Sequence, residues 1–181
     1  MIAPFLSDGH VLLRPVQRDD LPLLADWRNQ PEIRLRTREW RPLTMPQQER
    51  WFGRITSEET KDWMFVVVVP AGLVMTMVGV VGLCHWSPVD RTAEVSFYLG
   101  NADYERRGIM KDSLRLLHEW GWLSLGLERI WAEAYAFNER SIGILKKLGY
   151  REEGRLRSHV YRDGRRWDSV MLGLLREEWW W

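Results

Sequence analysis

The residues whose types and spacing best suit ligand binding are the basic turn Arg106-Arg107-Gly108 and the start of the helix that follows it. Apolar residues at i, i+4 and i+7 from Met110 predict a helix that begins near Ile109. The first N–H groups of a helix have no partner within it, and the helix dipole places partial positive charge there. Lys111 and the two arginines add full charges. The turn therefore predicts an anion site suited to a pyrophosphate.

Two common phosphate motifs are excluded at this turn. A P-loop requires Gly-Lys before Ser or Thr, a dinucleotide fingerprint requires the glycines of G-x-G-x-x-G, and neither pattern is present. A solvated charged loop remains the alternative from these residues alone. The predicted helix lies between an apolar strand that ends near Leu99 and a second strand over residues 129–136. These strands would position the anion site at the end of a sheet.

Five further stretches resemble a known family. Residues 138–141 (Asn-Glu-Arg-Ser) and 148–154 (Leu-Gly-Tyr-Arg-Glu-Glu-Gly) are similar to the N-x-x-S…K-L-G-F…E-G run of the GNAT superfamily of N-acetyltransferases. Residues 27–32 resemble the W-R-N-D-P-E end of the family's first helix, 93–99 its fourth strand and 162–164 its final hairpin turn. The resemblance is strongest to the Rim-type branch, which acetylates ribosomal-protein N-termini and has many small-amine and amino-sugar relatives.

The phosphate loop departs from the family pattern at two positions. The family usually has Gln/Arg-x-x-Gly-x-Gly/Ala, whereas this chain has Glu105 at the first position and Met110 at the last. The backbone amides that bind phosphate remain, because every residue except proline has one. A carboxylate would repel a pyrophosphate, so we expect Glu105 to point away from the turn or to pair with a neighbouring arginine.

The resemblance implies an α/β (α+β) GNAT fold, with a mixed, mostly antiparallel sheet of seven strands flanked by about four helices. It also implies that the fourth and fifth strands splay apart and that the pantetheine of acetyl-CoA lies in the gap like a missing strand. Backbone groups of Phe97, Tyr98 and Leu99 would pair with pantetheine, and the Leu99 amide would polarise the thioester. The other implied cofactor-binding residues are Arg106, Arg107, Gly108, Ile109, Met110, Lys111, Asn138 and Ser141.

Acetyl transfer to an amine needs a proton donor for the thiolate and a proton acceptor for the amine. Many relatives place a tyrosine in the helix after the asparagine, and the matching position here is Leu145. The Rim-type alternative is the serine of N-x-x-S, which makes Ser141 the donor unless it is a plain helical residue. The glutamate that relatives carry in the last hairpin matches Val160, next to His159. Glu94, a carboxylate in an otherwise apolar strand, is the other candidate base. Alternatively, Glu94 is a structural partner of a buried arginine, or an ordered water accepts the proton.

An arginine-rich loop over residues 34–42 lies where the family binds its acceptor. The predicted substrate-binding residues are Arg36, Arg38 and Trp40 in this loop and Arg28 at the end of the preceding helix. Guanidinium groups bind carboxylates and phosphates bidentately, so the loop favours an anionic acceptor such as a nucleotide-linked sugar. A solvated surface is the alternative.

The N-terminal elements follow from apolar patterns and capping signals. A strand is predicted over residues 7–15, followed by a helix that Asp19 or Asp20 can cap and that ends at Pro31. Thr44 begins a second helix, because glutamine follows at the capping-box distance.

The twenty uncharged residues 64–83 have the length of a membrane span. Pro70 and Gly72 near their middle, and their many valines, favour two buried strands joined by a turn. A last hairpin is predicted around Asp163-Gly164. The terminal tryptophans 179–181 can dock on the core or form a subunit contact.

Length and composition favour a single domain over residues 1–181, because no linker-like tract divides the chain. A net charge of +1 and dispersed arginines disfavour a nucleic-acid partner. The lone cysteine, Cys84, excludes an internal disulfide and, with no recognisable signal peptide, predicts the cytoplasm. We expect a monomer or homodimer with no membrane partner and no metal.

Two classes of function remain open from the sequence. The first is an acetyl-CoA-dependent N-acetyltransferase whose acceptor, a protein N-terminus or a small amine such as an amino-sugar nucleotide, attacks the thioester directly. The second is a catalytically silent acyl-CoA-binding domain, which Glu105, Leu145 and Val160 favour because family residues are replaced there.

Overall fold

The computed structural model describes residues 5–180, so Trp181 of the terminal tryptophan run lies outside the described residues. Its strands are β1 (Leu6–Ser7), β2 (Leu12–Pro15), β3 (Trp63–Ala71), β4 (Val74–Ser87), β5 (Thr92–Leu99), β6 (Arg129–Tyr135), β7 (Arg151–Arg162) and β8 (Arg165–Leu175). They form one sheet in the order β1-β2-β3-β4-β5-β6-β8-β7. Every neighbouring pair is antiparallel except β5 and β6, which are parallel.

The helices are α1 (Leu21–Asn29), α2 (Pro31–Arg34), α3 (Met45–Ile55), α4 (Ile109–Ser124) and α5 (Glu139–Lys147). Short 3-10 turns occur at Arg18–Asp20, Ala102–Tyr104 and Arg176–Glu178. This architecture confirms the mixed, mostly antiparallel sheet that the resemblance implied.

The structure has one strand and one helix more than the sequence predicted within residues 5–180. The predicted first strand is interrupted because Asp8 Oδ1 accepts hydrogen bonds from the backbone N–H groups of His10 and Val11, at 3.0 and 2.9 Å. This local turn competes with strand pairing. The extra helix is α2, where Pro31 occupies the first position, which needs no backbone N–H.

Asp20 is the N-cap residue of α1, as predicted, but its side chain makes no capping hydrogen bond to the helix. Both carboxylate oxygens of Asp20 accept from Arg14, at 2.7 and 2.8 Å, so they join the helix start to β2 instead of capping it. The capping interaction predicted for α3 is present, because Gln47 Oε1 accepts from the Thr44 backbone N–H at 2.8 Å.

The apolar run 64–83 forms the predicted hairpin of β3 and β4. Its alternating side chains enter two cores: Val67 belongs to the core that contains Leu114 of α4, and Val66 belongs to the core that contains Leu24 of α1. No helix within residues 5–180 combines the length and apolar character needed to cross a membrane. Helices therefore cover both faces of the sheet, and the functional residues gather where β5 and β6 separate.

Candidate active site

The centre of the site is a gap between β5 and β6. The two strands pair only where residues 92–94 meet residues 129–131. Beyond that point, residues 95–98 of β5 and 132–135 of β6 line a cavity of about 540 Å³. One edge of β5 pairs with β4, and beyond residue 94 the other edge faces the gap and pairs with no strand of residues 5–180. An extended chain with amide groups can bind such an edge as an additional strand.

The residues predicted to pair with pantetheine lie along this edge. Phe97 and Tyr98 line the cavity, and Leu99 is the last residue of β5, opposite Gly79 of β4. The strand then leads through the 3-10 turn Ala102–Tyr104 to the basic turn.

The basic turn has the geometry of an anion site. Gly108 is the N-cap of α4 with φ 80°, a left-handed conformation that favours glycine, and Arg106 is also left-handed at φ 61°. Ile109 is the first residue of a 16-residue helix, in whose first turn Lys111 also lies. The guanidinium of Arg107 lies 4.8 Å from the Tyr104 ring centroid. Backbone N–H groups and positive charge thus converge at the end of β5.

The structure accounts for both departures of the phosphate loop from the family pattern. Met110 is buried in the core beneath the sheet, so its side chain does not occupy the turn. Glu105 accepts two hydrogen bonds from Arg140 of α5, one of them 2.8 Å between Nη2 and Oε2. The hydrogen bonds from Arg140 hold the pKa of Glu105 below its ordinary value. The carboxylate is therefore paired, as one of the two alternatives required.

Asn138 and Ser141 lie together at the start of α5. The Asn138 side chain is the N-cap and accepts from the Ser141 backbone N–H at 3.4 Å. Both residues line the cavity, and the Ser141 hydroxyl has no hydrogen-bond partner within residues 5–180. Leu145, one turn further, is buried and lines the cavity, at the position that the family resemblance matched to a tyrosine.

Arg38 links the two strands where they diverge. Its guanidinium donates to both oxygens of Glu94 on β5, at 2.9 and 2.6 Å, and to Glu133 Oε2 on β6 at 2.9 Å. Glu94 is only 5% exposed, whereas the Arg38 side chain is 53% exposed. The predicted base is thus held by an arginine, which is the structural alternative. The three side chains also anchor the arginine-rich loop of residues 34–42 to the sheet.

A histidine lies at each end of this network. His85 Nδ1 is 2.8 Å from Glu94 Oε2, and His159 Nδ1 is 3.1 Å from Glu133 Oε1. Burial alone would raise the pKa of Glu133, but hydrogen bonds from Ser169 and Arg38 lower it below its ordinary value. His85 has φ 53° at an irregularity in β4, which turns it towards the cavity. The sequence reasoning missed Glu133; its signal was a carboxylate in an apolar strand, as for Glu94.

The other predicted acceptor residues differ in position. Arg28 lines the cavity, with its guanidinium 5.7 Å from the Tyr98 ring centroid. Arg36 also lines it and donates to the backbone carbonyl of Glu32. Trp40 is 61% exposed and is not part of the cavity wall. Its two neighbours in the chain, Glu39 and Arg41, do line the cavity.

A family model described as the acetyltransferase (GNAT) domain matches residues 10–151. The chain therefore belongs to this family, as its motifs predicted. The protein YdaF of Bacillus subtilis, named as a candidate ribosomal N-acetyltransferase, is 30% identical over 113 residues, or 61% of each chain. The [ribosomal protein uS5]-alanine N-acetyltransferase of Escherichia coli is 26% identical over 55% of this chain and 53% of its own. The chain thus spans a little over half the length of these curated relatives.

The fold has close counterparts among solved structures. The crystal structure of spermidine N-acetyltransferase from Vibrio cholerae, in complex with CoA and spermine, superposes with a TM-score of 0.84. It covers 94% of this chain and 98% of its own, at 18% sequence identity. At that identity the likeness shows the fold alone.

Proposed function

We propose that this protein is an acetyl-CoA-dependent N-acetyltransferase that moves an acetyl group to a primary amine by direct attack on the thioester. The observation that carries the proposal is the open edge of β5, which leads into the left-handed Gly108 turn at the start of α4. The edge suits the amides of pantetheine and the turn suits the pyrophosphate, in the order in which acetyl-CoA presents them. The family of the chain, which is one of acetyltransferases, supports the same donor.

Each step of the transfer has a candidate residue. The amine nitrogen bonds to the thioester carbonyl carbon, whose oxygen the Leu99 amide would stabilise, and the C–S bond breaks. Ser141 would give its hydroxyl proton to the leaving thiolate and take a proton back from solvent. Glu94 is ion-paired, so we assign the amine proton to His85, whose ring Glu94 holds through Nδ1 at 2.8 Å. Glu94 then acts as a positioning residue for this imidazole.

The proposed compartment is the cytoplasm, where acetyl-CoA is available and the free thiol of Cys84 stays reduced. The alternative of a silent acyl-CoA-binding domain is favoured by one observation: Leu145 is buried where relatives have a tyrosine. Release of free thiol from acetyl-CoA with a panel of amines separates the two. Acetylation of any amine supports the enzyme, and binding of acetyl-CoA without thiol release supports the silent domain.

The donor site is tested by a matched pair of glycines at the two ends of α4. Gly108 and Gly126 are both left-handed, at φ 80° and 63°, and an added Cβ would meet its nearest neighbour at 3.7 and 3.6 Å. Alanine therefore strains both positions similarly, by about 1 kcal/mol. Only Gly108→Ala should weaken acetyl-CoA binding, measured as the ligand-induced rise in melting temperature. Equal rises in the two variants would remove the anion site from this turn.

A further inference from the structure

The cavity contains more positive than negative charge. Its wall includes six arginines and four carboxylates. Three of the arginines form ion pairs with all four carboxylates, with nitrogen–oxygen distances of 2.6 to 3.5 Å. These groups are Arg38 with Glu94 and Glu133, Arg41 with Glu39, and Arg54 with Asp62.

Three arginines of the wall remain without a carboxylate partner within residues 5–180: Arg28, Arg36 and Arg50. Arg36 donates to a backbone carbonyl of the loop, whereas Arg28 and Arg50 make no hydrogen bond in that range. Arg38 and Arg41 of the arginine-rich loop are therefore occupied, whereas Arg28 on α1 and Arg50 on α3 can bind an anion. Arg28 also lies within electrostatic reach of Glu39. With six arginines and four carboxylates, the wall as a whole has two positive charges in excess.

Arg28 lies close to the proposed reaction centre. Its guanidinium carbon is 5.7 Å from the ring of Tyr98, a residue of the open β5 edge. Its Nε is buried and has no hydrogen-bond partner. A buried donor without a partner is costly, and an acceptor oxygen in the cavity would satisfy it.

We propose that the acceptor is a primary amine that carries an anionic group, a carboxylate or a phosphate, which Arg28 and Arg50 bind. The proposal rests on the N-acetyltransferase function. The excess positive charge of the wall attracts such a group and opposes the protonated form of the nearby amine, which must be neutral to attack. A polyamine brings several positive charges to the same wall, so it is a poor acceptor here.

The test compares matched amines with and without an anion. The pairs are phosphoethanolamine against ethanolamine and β-alanine against propylamine, with spermidine as the polycation; thiol release at subsaturating amine gives kcat/KM. We expect the anionic member of at least one pair to be preferred about tenfold or more, and spermidine to be the poorest. The two pairs distinguish phosphate from carboxylate.

Arginine variants connect the preference to the structure. Hydrogen bonds to charged groups contribute about 1.5–3 kcal/mol each, so Arg28→Gln and Arg50→Gln should each lower the anionic preference about tenfold to a hundredfold. Arg18→Gln is the control, because Arg18 is 71% exposed, pairs with Glu49 and lies outside the cavity wall. Its preference should equal that of the unmodified protein.

The outcomes distinguish failure of the proposed acceptor class from failure of the proposed acetyl transfer. If both members of each pair are acetylated at equal rates, the proposal of an anionic acceptor is wrong, while the proposed N-acetyltransferase function stands. If no amine releases thiol, the reaction itself fails, and the anion site is judged by binding. A rise in melting temperature with millimolar phosphoethanolamine or β-alanine that Arg28→Gln abolishes then supports the site, and no rise overturns it.

Discussion

Acidification should destabilise this protein through His118, a fully buried histidine of α4. Its Nε2 lies 3.0 Å from the Tyr150 hydroxyl, and the ring of Trp179 covers it with centroids 5.3 Å apart. Burial lowers the pKa of His118 to about 3 from an ordinary 6.5. Because the unfolded chain binds this proton more readily than the folded one, stability is complete above pH 6.5 and is lost as the pH falls towards 3.

The magnitude follows from the two pKa values. The full difference of about 3.5 units corresponds to about 5 kcal/mol, at about 1.4 kcal/mol per unit. Between pH 7 and pH 5 only part of it is lost, about 2 kcal/mol. For a chain of this size that loss lowers the melting temperature by roughly 4–8 °C.

Urea unfolding at pH 7, 6 and 5 measures the effect, with His118→Gln as the comparison. Glutamine keeps a polar partner for Tyr150 but loses the ring contact with Trp179, so we expect the variant to be less stable at pH 7. Because glutamine does not titrate, the variant should lose about 2 kcal/mol less unfolding free energy on acidification. Differences between the two proteins cancel the contributions of the surface carboxylates. Parallel loss of unfolding free energy in the two proteins would refute the argument.

The remaining predictions concern the proposed proton transfers. Ser141→Ala removes only a hydroxyl, so acetyl-CoA binding should persist while the single-turnover rate of acetylation falls by about 10²- to 10⁴-fold. Ser124→Ala, at the exposed far end of α4, is its control, and an unchanged rate in Ser141→Ala would end the thiolate-acid assignment. His85→Asn should lower the same rate by about 10²-fold or more, whereas His10→Asn, at an exposed position, should leave it unchanged. Equal rates in the two histidine variants would show that His85 is not the base, and the amine proton would then be assigned to a water molecule.

The local features of this protein were predictable because their signals act over a few residues. Gly108 and the apolar spacing after it predicted a helix from Ile109, and the structure begins α4 there. Gly72 predicted the turn between two buried strands, although Pro70 lies within β3 opposite Met75, and Asp163-Gly164 predicted the turn of the last hairpin. The family motif at residues 138–141 placed Asn138 at the start of a helix, which the structure also has.

Partner choice among charged side chains was decided only by the tertiary structure. Glu105 pairs with Arg140, 35 residues away, and Arg38 pairs with carboxylates 56 and 95 residues away. Nothing near these residues in the chain distinguishes an arginine that will form an ion pair from one, such as Arg28, that forms none within residues 5–180. The separation of β5 from β6 brings the carboxylates of both strands to one point, and the loop before α3 delivers Arg38 to it. Charge in the cavity is therefore a property of the folded topology, because it depends on which oppositely charged groups come within a few ångströms of each other.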